Sequence, residues 1–207
     1  MSDISLWDKW NASGGPQYPH NKVVQFFFRL YPNPSERSKL RALDLGCGGG
    51  VHTEFLASEG VSVFGSDLSS AAIEVTSKKL LNAGLSASGL SRGSVEAIDA
   101  PNGFFDVVIC VGVLECVDCS LIGACLSEVV RVLRSNGSAL LIFASDQDFR
   151  VLGDNPYQLH GYSDEEVLQA TTALSSNLKY AWLDRYITTY RGQEIQQNEH
   201  LLTLVKK

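Results

Sequence analysis

Leu43-Asp44-Leu45-Gly46-Cys47-Gly48-Gly49-Gly50 (LDLGCGGG) places four glycines in five positions directly after an apolar run. Glycine costs backbone entropy and adds nothing to a core. Such a cluster marks a place where the chain must turn sharply or admit something against its main chain. The run before it, residues 41–45, has the make-up of a buried strand. Val51 to Ser58 after it carries helical spacing, and Gly60 suits the stop. A tight strand-to-helix turn aims free N–H groups and a helix N-terminus at one spot. At the carboxyl end of a parallel sheet that spot is the usual ligand crevice of doubly wound folds.

The alternation continues outward. Val61 to Ser66 (VSVFGS) reads as a second strand, and Ser69 to Leu81 as a helix capped by Ser69 or Ser70 and ended by Gly84. Residues 85–91 give a weak third strand. Phe105 to Val111 (FDVVICV) is a buried strand. Leu121 to Leu133 has apolar residues at 121, 122, 125, 126, 129, 130 and 133, an amphipathic helix. After the Asn136-Gly137 turn, Ala139 to Phe143 is another buried strand. Strand and helix thus alternate across residues 41–144, which argues for a mostly parallel sheet covered on both faces. The tail differs. Ser163-Asp164-Glu165-Glu166 opens a helix with a capping box. Tyr180 to Tyr190 and Glu199 to Val205 then read as two strands joined near Gly192, an antiparallel pair at the sheet edge. At the front, residues 1–20 read as irregular, and Val23 to Leu30 (VVQFFFRL) as a short buried helix before Tyr31-Pro32-Asn33-Pro34. The expected fold is α/β, a Rossmann-like doubly wound, mostly parallel seven-stranded sheet with an antiparallel C-terminal hairpin. The expected organisation is a single domain over 1–207, with 1–34 as an N-terminal lid and helix segment and 41–145 as the ligand-binding core.

Bulk properties narrow the partners. The 207 residues carry a formal charge of −6 with no basic stretch beyond Lys78-Lys79 and Lys206-Lys207, so no face for nucleic acid is expected. The absence of a signal-like or 18-residue apolar segment, and five cysteines in odd number, point to a cytoplasmic, non-membrane protein with reduced thiols. Cys116 and Cys119 form one CxxC without a second pair. Zinc needs about four ligands, so no metal is expected.

The second strand ends in Ser66-Asp67. A carboxylate there can accept both hydrogen bonds from a ribose diol, so the glycine turn and Asp67 together call for a nucleoside-bearing cofactor. Residues 42–50 (ALDLGCGGG) resemble motif I of the class I S-adenosylmethionine-dependent methyltransferases. Nicotinamide enzymes usually lack an acid inside the strand, where Asp44 stands. Gly65-Ser66-Asp67-Leu68-Ser69 is similar to the family's ribose-acid segment. Residues 104–110 (FFDVVIC) are similar to its fourth strand, and Val113-Leu114-Glu115-Cys116-Val117 to the loop that follows. Residues 128–137 (EVVRVLRSNG) are similar to the helix and turn before strand five. The resemblance covers residues 41–145. It implies S-adenosyl-L-methionine as cofactor and S-adenosyl-L-homocysteine as product. It implies cofactor contacts at Asp44, Gly46, Cys47, Gly48, Asp67, Leu68, Ser94, Val95, Glu96 and Val111, with Asp44 supporting the loop and the methionine end. Two positions depart from the family. Ser94 stands where many relatives have an acid, leaving a hydroxyl to accept from the adenine amino group. Cys116 stands where relatives often have His.

Methyl transfer from a sulfonium is an in-line displacement. The protein must bring a nucleophile to about 3–3.5 Å and exclude water. A hydroxyl acceptor also gains from a general base. The first 20 residues, with Trp7, Trp10, Tyr18 and His20 around a Gly-Gly-Pro hinge, are a lid candidate. The alternative is that the tryptophans pack the segment onto the domain. Residues 145–162, with Asp146, Asp148, Arg150, Tyr157, His160 and Tyr162, are the second candidate. His20 and His160 are the two candidate bases, each alternatively a helix-start or packing residue. Arg150 could hold an anionic substrate group. Tyr186 and Tyr190 could be core or pocket wall.

The expected function is methyl transfer to an oxygen or nitrogen of a small molecule. "GGPxYP" heads resemble those of small bacterial methyltransferases associated with sugar or surface-polysaccharide precursors. Alternatives are a catalytically inactive S-adenosylmethionine-binding partner subunit, or a nucleic-acid or protein methyltransferase. The acidic charge and Val111-Gly112-Val113 after strand four, in place of an Asn/Asp-Pro-Pro-aromatic signature, speak against a nucleic-acid substrate. A monomer or homodimer is expected.

Overall fold

The computed structural model describes residues 4–13, 15–189 and 196–207. Gly14 of the expected hinge, Tyr190 and the turn near Gly192 lie outside them. The strands are β1 (Arg41–Leu45), β2 (Ser62–Asp67), β3 (Gly89–Arg92), β4 (Phe105–Val111), β5 (Leu133–Ala144), β6 (Leu178–Thr189) and β7 (Gln196–Lys206). The helices are α1 (Ile4–Ala12), α2 (Asn21–Leu30), α3 (Pro34–Arg37), α4 (Val51–Ser58), α5 (Ser70–Asn82), α6 (Ile122–Val132), α7 (Phe149–Leu152) and α8 (Asp164–Ala173). One seven-stranded sheet has the order β3-β2-β1-β4-β5-β7-β6. The β1–β2, β1–β4, β2–β3 and β4–β5 pairs are parallel. The β5–β7 and β6–β7 pairs are antiparallel. The expected doubly wound sheet with a C-terminal hairpin is what forms, with β7 seated between β5 and the edge strand β6.

Strands β1 and β4 are apolar almost throughout because both faces are covered. Alternate residues enter different cores. Leu43, Leu45, Val108 and Cys110 face a cluster with α6 and Tyr162. Ala42, Val107 and Ile109 face one with Val23, Phe27 and Leu56 of α2 and α4. Burying one such aliphatic side chain is worth roughly 1.5–3 kcal/mol, so the central strands anchor the sheet. Ser163 caps α8 through the full capping box with Glu166.

Three expectations shift. The irregular head contains the helix α1, which packs chiefly against α5. Its polar, Trp-rich sequence shows weak amphipathic spacing, and tertiary docking decides its state. The third strand is displaced to Gly89–Arg92, where pairing with β2 from Phe64 to Asp67 sets the register of a Ser- and Gly-rich edge. Strand β5 begins at Leu133, before the Asn136-Gly137 turn. The register against β4 slips between Phe105 and Val107, and Asn136 takes a left-handed φ of 60°.

Candidate active site

The turn after β1 is held from both sides. The N–H groups of Gly46 and Cys47 donate to the Ser66 carbonyl at 2.7 and 3.0 Å, tying the turn to the tip of β2. Gly46 has φ +75°, and a Cβ there would lie 2.1 Å from Val113 Cγ2, so no other residue fits. Gly48, with φ +50°, faces α1. A Cβ would stand 3.3 Å from Asn11 Oδ1 and 3.8 Å from the Trp10 ring. The turn feeds α4, whose N-cap Gly50 has no side chain to cap it. Asp44 does so instead, its carboxylate accepting the Thr53 main-chain N–H and its Oδ2 the Thr53 hydroxyl at 2.6 Å. Burial pushes the Asp44 carboxyl up to about 7, with a smaller contribution from the Asp67 charge.

Asp67 closes the other side. Its Oδ2 accepts the Gly48 N–H at 2.9 Å and its Oδ1 the Ser69 N–H at 2.9 Å. A carboxylate oxygen accepts two hydrogen bonds, so each keeps capacity for one more. Burial raises its pKa. Asp44, Gly46, Cys47, Gly48 and Asp67 therefore converge on one turn. Cys47 is buried, its sulfur 3.8 Å from the Thr76 hydroxyl. Leu68 follows, 53% exposed. The Gly93 N–H donates to the Asp67 carbonyl at 3.0 Å, which brings the Ser94–Glu96 segment to the same crevice. There the Ser94 hydroxyl accepts the Glu96 N–H at 3.2 Å, and Val95 turns its side chain into the core. Val111 ends β4, half-buried against the α2-side core. Burial holds the Val95 side chain away from the crevice, so only its main chain is left for a ligand contact.

The two lid candidates meet. The Trp7 ring packs on Tyr157 with centroids 4.8 Å apart. Asp8 accepts the Ser69 hydroxyl beside the Asp67 turn at 2.5 Å. Asn11 is 3% exposed, and its Oδ1 has no hydrogen-bond partner among the described residues.

Beyond β4 and β5 lies a cluster that sequence reasoning missed as a unit. Arg150 donates to both oxygens of buried Asp148, at 2.8 and 3.0 Å, and to Glu199 Oε1 at 2.9 Å, and lies 3.6 Å from Glu115. Its Nε and Nη2 are taken up by Asp148 and Glu199, while Nη1 faces Glu115 at 3.6 Å without a hydrogen bond. Glu115 is 2% exposed, and burial lifts its carboxyl to about 7 despite Arg150. Burial pushes the pKa of Glu199 up, but hydrogen bonds from His20 and Gln197 and the Arg150 charge outweigh it and hold the carboxyl below its usual value. The only sequence sign of this cluster was the density of Asp and Arg in the loop after β5; Glu115 and Glu199 are far apart in the chain.

His20 stands beside this cluster, its Nε2 3.4 Å from Glu199 Oε2. It is also the N-cap of α2, its Nδ1 accepting the Lys22 N–H at 3.2 Å. With Nδ1 accepting, the neutral ring carries its proton on Nε2, toward the carboxylate. Its main-chain N–H donates to His52 Nε2 at 3.1 Å, and burial lowers His52 to about 4. His160 points elsewhere. Its ring packs against Tyr162 at 4.6 Å and its Nε2 lies 3.8 Å from the α8 capping residue Glu166. The two candidate bases are not brought together. Among the described residues no group of His, Cys, Asp and Glu forms a metal site, and no helix is long and apolar enough to cross a membrane.

Comparison with known proteins agrees with this geometry. Residues 42–137 match a family described as a methyltransferase domain. A ubiquinone biosynthesis O-methyltransferase of Burkholderia orbicola is 40% identical over 134 residues, 62% of this chain and 56% of that one. The mitochondrial enzyme of the same name from Schizosaccharomyces pombe is 36% identical over 117 residues, 53% and 41% of the two chains. The chain thus spans about half the length of the curated relatives it matches. The solved YcgJ protein of Bacillus subtilis superposes with a TM-score of 0.67 at 20% identity, over 91% of this chain and 99% of that one. Magnesium protoporphyrin IX methyltransferase of Synechocystis, solved with bound S-adenosylmethionine, does so at 0.65 and 17% identity, over 90% and 79%. The glycine turn, the strand acid behind it and the sheet order agree with the sequence match, and residues 42–137 form a methyltransferase domain of the class I S-adenosylmethionine-dependent type.

Proposed function

We propose that this chain, as one methyltransferase domain over 1–207, moves a methyl group from S-adenosyl-L-methionine to an oxygen or nitrogen of a small molecule. The observation that carries this is Asp67, whose carboxylate bridges the Gly48 and Ser69 N–H groups and keeps one acceptor site on each oxygen. Those sites suit a ribose diol. The exposed Leu68 and the hydroxyl of Ser94 lie where the adenine would be held, and the Gly46–Gly48 main chain is bare enough for close approach. The orphaned Oδ1 of buried Asn11 beside Gly48 is the kind of gap a polar cofactor would fill.

When bound, the cofactor supplies an electrophilic methyl on a sulfonium. The protein's part is position and dryness. Asp44 fixes the turn by capping α4. The α1 helix, pinned by Trp7 on Tyr157 and by Asp8 on Ser69, keeps water off that end. The acceptor side lies beyond β4 and β5. Three buried carboxylates there face one guanidinium, an excess of negative charge that supports a neutral or cationic acceptor over an anionic one. For a hydroxyl acceptor, Nδ1 of His20 becomes a base only by leaving the Lys22 N–H. An oxygen acceptor draws support from the O-methyltransferase relatives, and a sugar or polysaccharide precursor from the N-terminal resemblance alone. The lack of a basic stretch supports an acceptor other than nucleic acid.

The test is incubation with methyl-labelled S-adenosylmethionine and panels of hydroxyl, sugar and amine acceptors. Label should move to an acceptor with matching release of S-adenosylhomocysteine. Failure of every panel, with the cofactor bound, would leave a binding subunit and overturn the enzymatic assignment.

A further inference from the structure

Among the described residues of the cofactor crevice, Asn11 carries a buried polar atom that no packing argument accounts for. The residue is 3% exposed, and an amide carbonyl that far from water normally has a partner. Its Oδ1 has none among the described residues. It stands 3.3 Å from where a Gly48 Cβ would be, over a backbone kept bare by glycine in a left-handed conformation. The helix carrying it is pinned at its middle, by Trp7 on Tyr157 and by Asp8 on the Ser69 hydroxyl, one turn before the amide.

We propose that Asn11 is a cofactor-binding residue whose side-chain carbonyl accepts a hydrogen bond from the α-ammonium of the methionyl group. This rests on the proposed use of S-adenosylmethionine. The choice of group follows from donors. The cofactor carries three sets: the ribose diol, the adenine amino group and the α-ammonium. Asp67 takes the diol with the two acceptor sites it keeps. Ser94 lies across β2, on the segment tied to the Asp67 carbonyl through Gly93, on the adenine side. The ammonium is the donor left, and Asn11 Oδ1 is the unpartnered acceptor beside the bare Gly48 main chain. A charged donor also explains why a neutral amide suffices, since hydrogen bonds to ions are the strong ones. The α1 helix is then a wall of the site and not only a cover.

Calorimetric titration of wild type and Asn11→Ala with S-adenosylhomocysteine and with its desamino analogue, which keeps the carboxylate, tests this. Loss of the bond should weaken S-adenosylhomocysteine about tenfold or more in the variant. The desamino analogue should bind both proteins equally, which also shows that the variant folds. Equal weakening of both ligands would make Asn11 a structural residue and overturn the proposal. So would unchanged affinity for S-adenosylhomocysteine, or tighter binding, which would mean that the amide obstructs the site. If wild type bound neither ligand, the cofactor assignment itself would fall, an outcome distinct from the others.

Discussion

Asp44 accepts both the main-chain N–H of Thr53 and, at 2.6 Å, its hydroxyl, so a residue inside β1 caps the helix that follows the glycine turn. The cap is needed because Gly50, in the N-cap position, has no side chain of its own. Replacing Asp44 by Ala should therefore lower stability by about 1–3 kcal/mol. Denaturant unfolding of the purified variant checks this; unchanged stability would mean that the turn holds without its acid.

Glu115 supplies a pH dependence of definite sign. Its carboxyl titrates near 4.3 when unfolded and at about 7 when folded. The folded protein holds that proton more tightly, so this group's favourable contribution is complete below about pH 4 and is lost as pH rises through 7. Asp44 acts in the same direction. His52, lowered to about 4, acts in the opposite one over pH 4 to 6.5. A difference measurement isolates Glu115. Relative to wild type, Glu115→Gln should gain stability from pH 5 to about pH 7 and level off above it. A difference that stays flat, or falls, would contradict the assignment.

Arg150 joins the loop after β4, the loop after β5 and the start of β7 by facing Glu115, Asp148 and Glu199. Its removal leaves three buried carboxylates without their cation. Breaking a buried ion pair costs about 3–5 kcal/mol. The guanidinium's side chain is 27% exposed, so the loss for Arg150→Met should sit near the low end, about 3 kcal/mol. It should shrink at pH 5.5, where Glu115 takes up a proton. Denaturation at the two pH values checks both statements.

Gly46 and Gly60 separate backbone strain from crowding. Both have left-handed φ, +75° and +80°, but a Cβ meets Val113 at 2.1 Å in the first and nothing within 4 Å in the second. Gly60→Ala should cost about 1–2 kcal/mol for the backbone alone. Gly46→Ala should cost roughly 1–3 kcal/mol more through overpacking. Equal losses would show that the turn yields to a methyl group.

The parts legible in the sequence were those written in local pattern. The apolar runs of β1 and β4, the Ser163–Glu166 capping box and the glycines at 46–50 each announced their element within a few residues. The sheet type followed, because the strands alternate with helices. What stayed hidden is assembled from distant positions. The α1 helix has little amphipathic signal and is decided by docking on α5. The β3 edge takes its register from β2. Glu115, Arg150 and Glu199 meet only because β5 and β7 pair antiparallel from Ser138 with Val205 to Ala144 with Glu199, which delivers Glu199 to the carboxyl end of the sheet. Asn11 carries no sign in the sequence, since a buried amide without a partner cannot be recognised from composition. His20 reads from sequence as a base or a helix-start residue, and the structure makes it the cap of α2 and the neighbour of Glu199.

Titration calorimetry with S-adenosylmethionine, on wild type and Asp67→Ala side by side, tests the central claim most directly. Wild type should bind one equivalent, and the variant about ten- to a hundredfold more weakly, because the ribose diol loses a charged acceptor. NAD should give no heat with either protein. No binding of S-adenosylmethionine to wild type, or equal affinity in the two proteins, would contradict it.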